Sequence, residues 1–454
     1  MSAQPVLGVV RDHKPVERFW IKNFGCRASQ ADGAAIGAGL TAKGLVHARD
    51  ACDADLLVLN TCTVTSTADD EVRQVVRRLH RERPDARILI TGCYAQRAPE
   101  ELAAMAGVSL VVGNSHKTRI PELVSNGVDY HGEIEIGDIF ERRDFLSAPI
   151  EDAVGDRTRP NLKIQDGCNN RCSFCIIPFV RGRSRSAPAD QVIAQVRALA
   201  ARYKEVVLSG INLGRWGRDI EPRDFEGRLR LVDLLRRLLD ETAIERLRLS
   251  SVEPMDFSDD LLQLIADSPR IAKHVHAPLQ SGSDRVLRRM HRKYRPRHYA
   301  DRIWKAREWM PDCAVGADVM TGFPGETEEE FEESRAFIES LPFTYLHVFT
   351  YSERPGTPAA ESADQVPVAI RKQRTRVLRE LAARKNLEFR RSMIGKILSA
   401  VTLDDGALSE NYLKIKLAAT LNIGREANRI VDVNIGGVTS DGLYEAGVMP
   451  VLTW

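Results

Sequence analysis

The stretch Gly167-Cys168-Asn169-Asn170-Arg171-Cys172-Ser173-Phe174-Cys175, continuing into Ile176-Ile177-Pro178, places three thiols in one short loop with no fourth thiol nearby. Three sulfurs so close in sequence can share one metal centre, and the missing fourth implies an open coordination position. A structural zinc takes four protein ligands in a closed tetrahedron, so three cysteines fit better a cluster whose remaining iron is left to a small molecule. Two further readings of the loop are a zinc site completed by a distant His274 or His276, and three incidental thiols.

The rest of the chain is long enough to surround such a loop with an enzyme. At 454 residues it exceeds one ordinary core and implies two or three domains. Lys+Arg 65 against Asp+Glu 63 leaves a formal charge of +2, so net charge does not mark a nucleic-acid binder and the distribution has to be read instead. The first twenty residues are polar, are broken by Pro5 and Pro15, and lack the apolar centre of a signal peptide; no run approaches the length of a membrane span. A cytoplasmic protein with no membrane partner is expected. In a reducing compartment, eight cysteines are metal ligands or buried thiols rather than disulfides.

Upstream of the loop, apolar runs at Phe19-Trp20-Ile21, Asp55 to Leu59 and Arg87 to Ile90 read as strands. Between the last two, Val72, Val75, Val76 and Leu79 recur at helical spacing while Arg73, Arg77, Arg78 and Arg81 take other faces. Strands alternating with helices predict a parallel α/β sheet for residues 17–145. Cys26, Cys62 and Cys93 then each follow a strand, on the carboxyl edge where open α/β sheets place ligands. Cys52 precedes its strand and belongs to the opposite edge; it and Cys313 suit the role of small buried hydrophobes.

Downstream, residues 154–392 hold six strand candidates separated by helical patterns: Leu162 to Gln165, Val206 to Ser209, Leu247 to Ser250, His274 to Ala277, Val315 to Val319 and Tyr345 to Phe349. Six βα repeats predict a partial, open parallel barrel with its active residues just after the strands. Ser209, Gly210 and Asn212, then Ser251 and Glu253, then Gln280, then Gly322 occupy those positions, on the same edge as the cysteine loop. Turn chemistry alone accounts for any one of these loops. Five on one edge favour a cofactor pocket, with glycines for close backbone approach and polar side chains for ribose and amino-acid groups. His274 and His276 alternate on one strand and share a face, which reads as a hydrogen-bonded lining.

The C-x3-C-x2-C spacing, with Phe174 before the last cysteine, resembles the radical S-adenosylmethionine superfamily. Cys26, Cys62 and Cys93, with Asn60-Thr61-Cys62-Thr63-Val64-Thr65 and Thr91-Gly92-Cys93-Tyr94-Ala95-Gln96, narrow the likeness to its methylthiotransferase branch, and within it to the bacterial tRNA threonylcarbamoyladenosine methylthiotransferases. Pro278 to Gly282, Gly322 to Thr327 and Tyr351 to Pro358 carry the same likeness, while Arg27-Ala28-Ser29-Gln30 departs from the family's usual pattern. The resemblance implies a 4Fe-4S cluster on Cys168, Cys172 and Cys175 that chelates S-adenosylmethionine, with Phe174 covering its adenine. It implies a second 4Fe-4S cluster on Cys26, Cys62 and Cys93 that supplies sulfur, and methylthiolation of carbon 2 of threonylcarbamoyl-adenosine in the anticodon stem-loop of tRNA. An electron donor such as flavodoxin or ferredoxin is implied as well. The same chemistry on isopentenyl-adenosine tRNA or on a ribosomal-protein aspartate is the alternative within the class, and a non-catalytic iron-sulfur RNA-binding protein the alternative outside it.

Two basic runs suit such a polyanion: seven Lys or Arg and no acid from Arg285 to Arg297, and ten against two Glu from Arg371 to Lys396. Residues 393–454 change character, with Leu413, Ile415 and Leu417 alternating with Tyr412, Lys414 and Lys416 before Ile430 to Ile435 and Gly436-Gly437. They predict short antiparallel strands, and with Asn411-Tyr412-Leu413 they resemble the small RNA-binding TRAM β-barrel.

Overall fold

A computed structural model describes residues 15–125, 132–146, 158–220, 229–418 and 426–447. The first unit is a six-stranded, wholly parallel sheet. Across it the strands run Val46–His47, Arg18–Asn23, Leu56–Thr61, Arg87–Gly92, Val108–Gly113 and Glu133–Glu135. Its central strands are buried on both faces, as Leu57, Val58, Leu59, Ile88, Leu89 and Ile90 require. Helix Ser66–Glu82 begins where the Thr65 hydroxyl accepts from the Ala68 N–H at 3.2 Å, and it turns Val72, Val75, Val76 and Leu79 onto the sheet.

All six strands expected in the middle of the chain are present, as Asn161–Asp166, Glu205–Gly210, Arg246–Leu249, His274–His276, Ala314–Thr321 and Tyr345–Thr350. They lie parallel and in chain order; the first three pair as one sheet and the last three as another, and a Leu247 to Ile271 bridge joins the halves. Leu162, Ile164, Val206, Leu208, Val315 and Ala317 face the surrounding helices in one core. The alternate positions, among them Lys163, Glu205, Arg248, His276, Asp318 and His347, therefore line the lumen. The first and last strands do not pair with each other. Helix Arg27–Ala42 of the first unit packs along the opening, against strand Asn161–Asp166.

Strands Ile397–Leu403, Gly406–Ser409, Lys414–Lys416, Leu443–Glu445 and Ile430–Val438 close into a small barrel around Leu398, Ala400, Ile415, Val433 and Leu443. Its Asn411–Tyr412 turn seats against the floor of the half-barrel. Tyr412 stacks on His274 at 4.6 Å between ring centres, and Arg248 donates to the carbonyls of Ser409 and Glu410 at 2.9 and 3.0 Å. The Asn411–Tyr412 turn thus seats the expected small barrel on the half-barrel. Among the described residues no helix is long and apolar enough to cross a membrane.

The reading of the basic runs needs a correction. Arg285 meets Glu329 and Glu333, Arg289 meets Glu330, Arg292 meets Glu253, and Arg295 meets Asp284. On the long helix Val368–Arg391, Arg371 pairs with Glu353, Arg374 with Glu326 and Glu328, and Arg384 with Glu339. Apart from Asp284, which directly precedes the first run, the acids come from helix Glu328–Ser340 and the loops, so a count of charge within each run overstated the free positive surface.

Candidate functional site: two cysteine triads on either side of one short helix

Cys168, Cys172 and Cys175 lie in the loop after strand Asn161–Asp166, and helix Ile177–Arg181 follows at once. Burial, then the neighbouring Cys172 sulfur, pushes the Cys175 thiol up to about 12. The Asn170 N–H and Asn212 Nδ2 point at the Cys168 sulfur at 3.4 and 3.7 Å, and Arg292 donates to Cys172 at 3.2 Å while pairing with Glu253. Donors aimed at these sulfurs work against the burial that raises Cys168 and Cys175, and would support thiolates as ligands.

The second triad forms at the carboxyl edge of the first sheet. Cys26 immediately precedes helix Arg27–Ala42, Cys62 follows strand Leu56–Thr61, and Cys93 opens helix Cys93–Arg97 after strand Arg87–Gly92. Burial, then Cys93, with Cys26 adding to it, lifts the Cys62 thiol to about 12. Gly25 makes this approach possible: its φ is +87°, and a Cβ there falls 2.7 Å from Cys62 Cβ and 2.8 Å from its sulfur.

Helix Ile177–Arg181 joins the two. Ile176 and Val180 pack on Cys93, and Asn114 Nδ2 donates to the Val180 carbonyl at 2.7 Å and points at the Cys93 sulfur at 3.6 Å. Arg181, fully buried, binds Asp166 at 2.9 Å and Asp32 at 3.2 Å. Its burial lowers its pKa, but the charges of Cys93, Asp166, Asp32 and Cys26 outweigh that and hold it well above the ordinary arginine value. Lys117 and Lys163 bind the same Asp32 carboxylate, so a buried charge network spans the junction of the two units. Past the last barrel strand, Arg354 reaches Asp69 at 2.7 Å and the Thr63 carbonyl at 3.2 Å, pinning the chain next to Cys62.

Neither triad has the spacing of a single-ion site. Among the described residues, the set of three or more ligand atoms within 4.8 Å of one another is His276, Asp318 and His347. Thiolates on one zinc lie about 3.8 Å apart, from a Zn–S bond of about 2.3 Å. The wider cysteine triads fit a multi-iron cluster. His274, offered as a distant zinc ligand, instead bonds the Tyr345 hydroxyl at 2.6 Å on the barrel floor.

The other expected positions divide. Asn212 and Glu253 reach the cysteine loop, directly and through Arg292. Ser209 is buried with an unbonded hydroxyl, and Gly210 packs so tightly on Gln165 that a Cβ falls at 2.9 Å. Phe174 lies edge-on to Phe323 at 6.5 Å. Ser251 bonds His276 Nδ1 at 2.6 Å, and the Gln280 N–H reaches the Asp318 carbonyl at 2.8 Å with φ +66°. Gly322 has a packing reason: a Cβ there meets Arg371 Cγ at 2.3 Å. Cys313 is buried, whereas Cys52 is exposed, because it sits in a turn held by the Asp50 carboxylate at the edge of the sheet rather than in its core. Sequence reasoning missed Arg27, Asp32, Arg181, Arg292, Asp318, His347 and Arg354; for Asp318 and His347 the signal was a polar residue at an inward position of a predicted strand.

Comparison with known proteins agrees with this layout. The radical SAM superfamily model matches residues 162–338, and that of the uncharacterized protein family UPF0004 matches residues 18–113. The chain is 39% identical over 394 residues to the threonylcarbamoyladenosine tRNA methylthiotransferase MtaB of Bacillus subtilis, covering 84% of this chain and 85% of that one. It is 35% identical to the tRNA-2-methylthio-N(6)-dimethylallyladenosine synthase of Syntrophomonas wolfei, covering 85% and 86%. In fold it is similar to TsrM, a radical S-adenosylmethionine methyltransferase from Kitasatospora setae, with a TM-score of 0.55 at 16% identity over 76% of this chain and 74% of that one.

Proposed function

The chain belongs to the tRNA methylthiotransferases of the radical S-adenosylmethionine superfamily, and from that membership and its two cysteine triads we propose that it methylthiolates carbon 2 of threonylcarbamoyl-adenosine beside the tRNA anticodon. Cys168, Cys172 and Cys175 would hold a 4Fe-4S cluster that takes S-adenosylmethionine, and Cys26, Cys62 and Cys93 would hold a second. When bound, these groups supply the radical that removes the carbon 2 hydrogen and the methylated sulfur that replaces it.

The protein's own part is placement. Helix Ile177–Arg181 lies between the triads, following Cys175 through Ile176 and packing on Cys93 through Val180. Asn212 and Arg292 donate toward the sulfurs of the first triad, and Glu253 neutralises Arg292. The half-barrel and the first unit wall the lumen against solvent, which protects a carbon radical from side reactions. An unpaired loop base is the part of an RNA that can be splayed into such a lumen. A flavodoxin- or ferredoxin-like electron donor in the cytoplasm completes the scheme.

The observation that carries this reading is the pair of triads across one helix. Nucleoside mass spectrometry of a strain lacking the gene tests it: the methylthio form of threonylcarbamoyl-adenosine should vanish and its unthiolated precursor accumulate. Loss of methylthio-isopentenyl-adenosine instead would assign the chain to the reaction named for the Syntrophomonas relative.

A further inference from the structure

Arg27, directly after Cys26, makes no side-chain hydrogen bond or ion pair with any described residue, although it is half-buried. Its backbone carbonyl accepts from Asn161 at the opening of the half-barrel, and its charge is felt by His274 and Tyr345 inside the lumen. The cations at inward strand positions, by contrast, have partners: Lys163 has Asp32 and Asp166, and Arg248 and Arg246 have Glu205. An unpaired guanidinium in a half-buried wall is costly unless a ligand brings the counter-charge, and its planar fork matches a carboxylate.

Above Tyr345 the lumen carries a second polar group. His276, Asp318 and His347 come from three adjacent strands, with Asp318 directly opposite His347 in the register. Asp318 faces His347 at 3.1 Å and His276 Nε2 at 3.4 Å. His276 is 6% exposed, and its Nε2 has no hydrogen bond, whereas its Nδ1 is committed to Ser251. The His347 side chain is 53% exposed and open to the lumen's occupant. Buried polar groups left with spare capacity mark a place where a polar ligand completes them.

We propose that Arg27 and the His276–Asp318–His347 set form the subsite for the substituent on the substrate adenine: the guanidinium takes its carboxylate, and the set takes its hydroxyl and amide N–H. This rests on the threonylcarbamoyl reading above and explains how the site selects that substituent. An isopentenyl group has no polar atom to offer, so it leaves the cation without a counter-charge and the imidazole set without a further hydrogen-bond partner, the arrangement by which polar sites reject apolar analogues.

The test compares holoenzyme binding, by fluorescence anisotropy without reductant, to one anticodon stem-loop in two forms. One carries threonylcarbamoyl-adenosine and the other its methyl ester, which has the same shape without the charge. Wild type should prefer the acid by about 10- to 100-fold, the worth of a charge-assisted hydrogen bond. Arg27→Gln should bring the acid down to the ester's affinity and leave the ester unchanged, with Arg27→Lys between them. Iron content and cluster absorbance are read beside each variant. His347→Gln, on a barrel strand rather than beside a cysteine ligand, should lower affinity for both forms while keeping the acid-over-ester ratio. An acid preference that survives Arg27→Gln overturns the proposal, as does one equivalent of bound zinc or manganese that disappears with Asp318→Asn, since the set would then be an ion site. If the substrate reading itself fails, wild type will instead methylthiolate isopentenyl-adenosine RNA and leave the acid form untouched.

Discussion

At the scale of single residues, the site depends on a few positions whose chemistry admits no close substitute. Gly25→Ala puts a methyl group onto Cys62 and forces a left-handed backbone on a residue with a side chain, at about 1–2 kcal/mol for the backbone alone. We expect that variant to fold, to keep the iron of the Cys168 loop and to lose that of the second triad, as read by iron content and sulfide assay. Asp32 is a second such position. Burial raises its carboxyl, but Lys117, Lys163 and Arg181 overturn that and hold it well below the usual carboxylate range; Asp166 is held down in the same way against its own burial, by Lys163, Arg181 and Arg185. Both groups therefore take up protons in the unfolded chain first. Their stabilisation is complete above the unfolded carboxyl value of about 3.9 and is lost as pH falls below it. Asp32→Asn, which leaves buried Lys117 without a carboxylate and Lys163 and Arg181 with Asp166 alone, should cost about 3–5 kcal/mol in urea denaturation at pH 7, and the difference from wild type should shrink toward pH 3.

At the scale of elements, helix Ile177–Arg181 is the part on which both cysteine triads bear. Its five residues follow Cys175 without a break and present Val180 and Arg181 to the other triad. Replacing Cys168, Cys172 and Cys175 together by Ala should remove about half of about eight irons and leave the rest, because each triad is built on its own strand ends. Iron content that falls to zero, or does not change, would refute two independent sites. The strands themselves were legible as short apolar runs, such as Val206 to Leu208, and turns of Gly, Pro and Ser mark where they end. The cysteines were legible because ligand spacing within a loop is a local property. Arg181 was not, since nothing near it in sequence distinguishes it from any other arginine until Asp32 arrives from 149 residues away.

At the scale of the whole molecule, three units close one lumen. The first sheet covers its side, the Arg354 loop locks that cover to Asp69, and the terminal barrel seals its floor through Tyr412. Tyr412 holds φ +65° and stacks on His274, so Tyr412→Ala should lower stability by about 2 kcal/mol or more, through lost ring contacts and the gap left behind. Thermal unfolding should register the loss in the central unit as well as in the barrel. A barrel that served RNA alone would leave the central unit's melting unchanged.

What the sequence by itself determined is whatever depends on near neighbours: the cysteine loop, the strand–turn–helix rhythm that places ligands on one edge, and the family to which those motifs belong. Hydrophobic periodicity and ligand spacing act over a few residues, so they survive being read in one dimension. The tertiary structure alone decided which charges are free and which polar groups meet. Most cations of the Arg285 to Arg297 run, but only Arg371, Arg374, Arg384 and Lys396 of the ten from Arg371 to Lys396, pair with acids outside those runs among the described residues. Arg27, with no cluster of charge around it, keeps its guanidinium unpaired among the described residues, and His276, Asp318 and His347 become one group only when three strands align in register. Electrostatic partners are chosen through space, over distances on which sequence separation has no bearing.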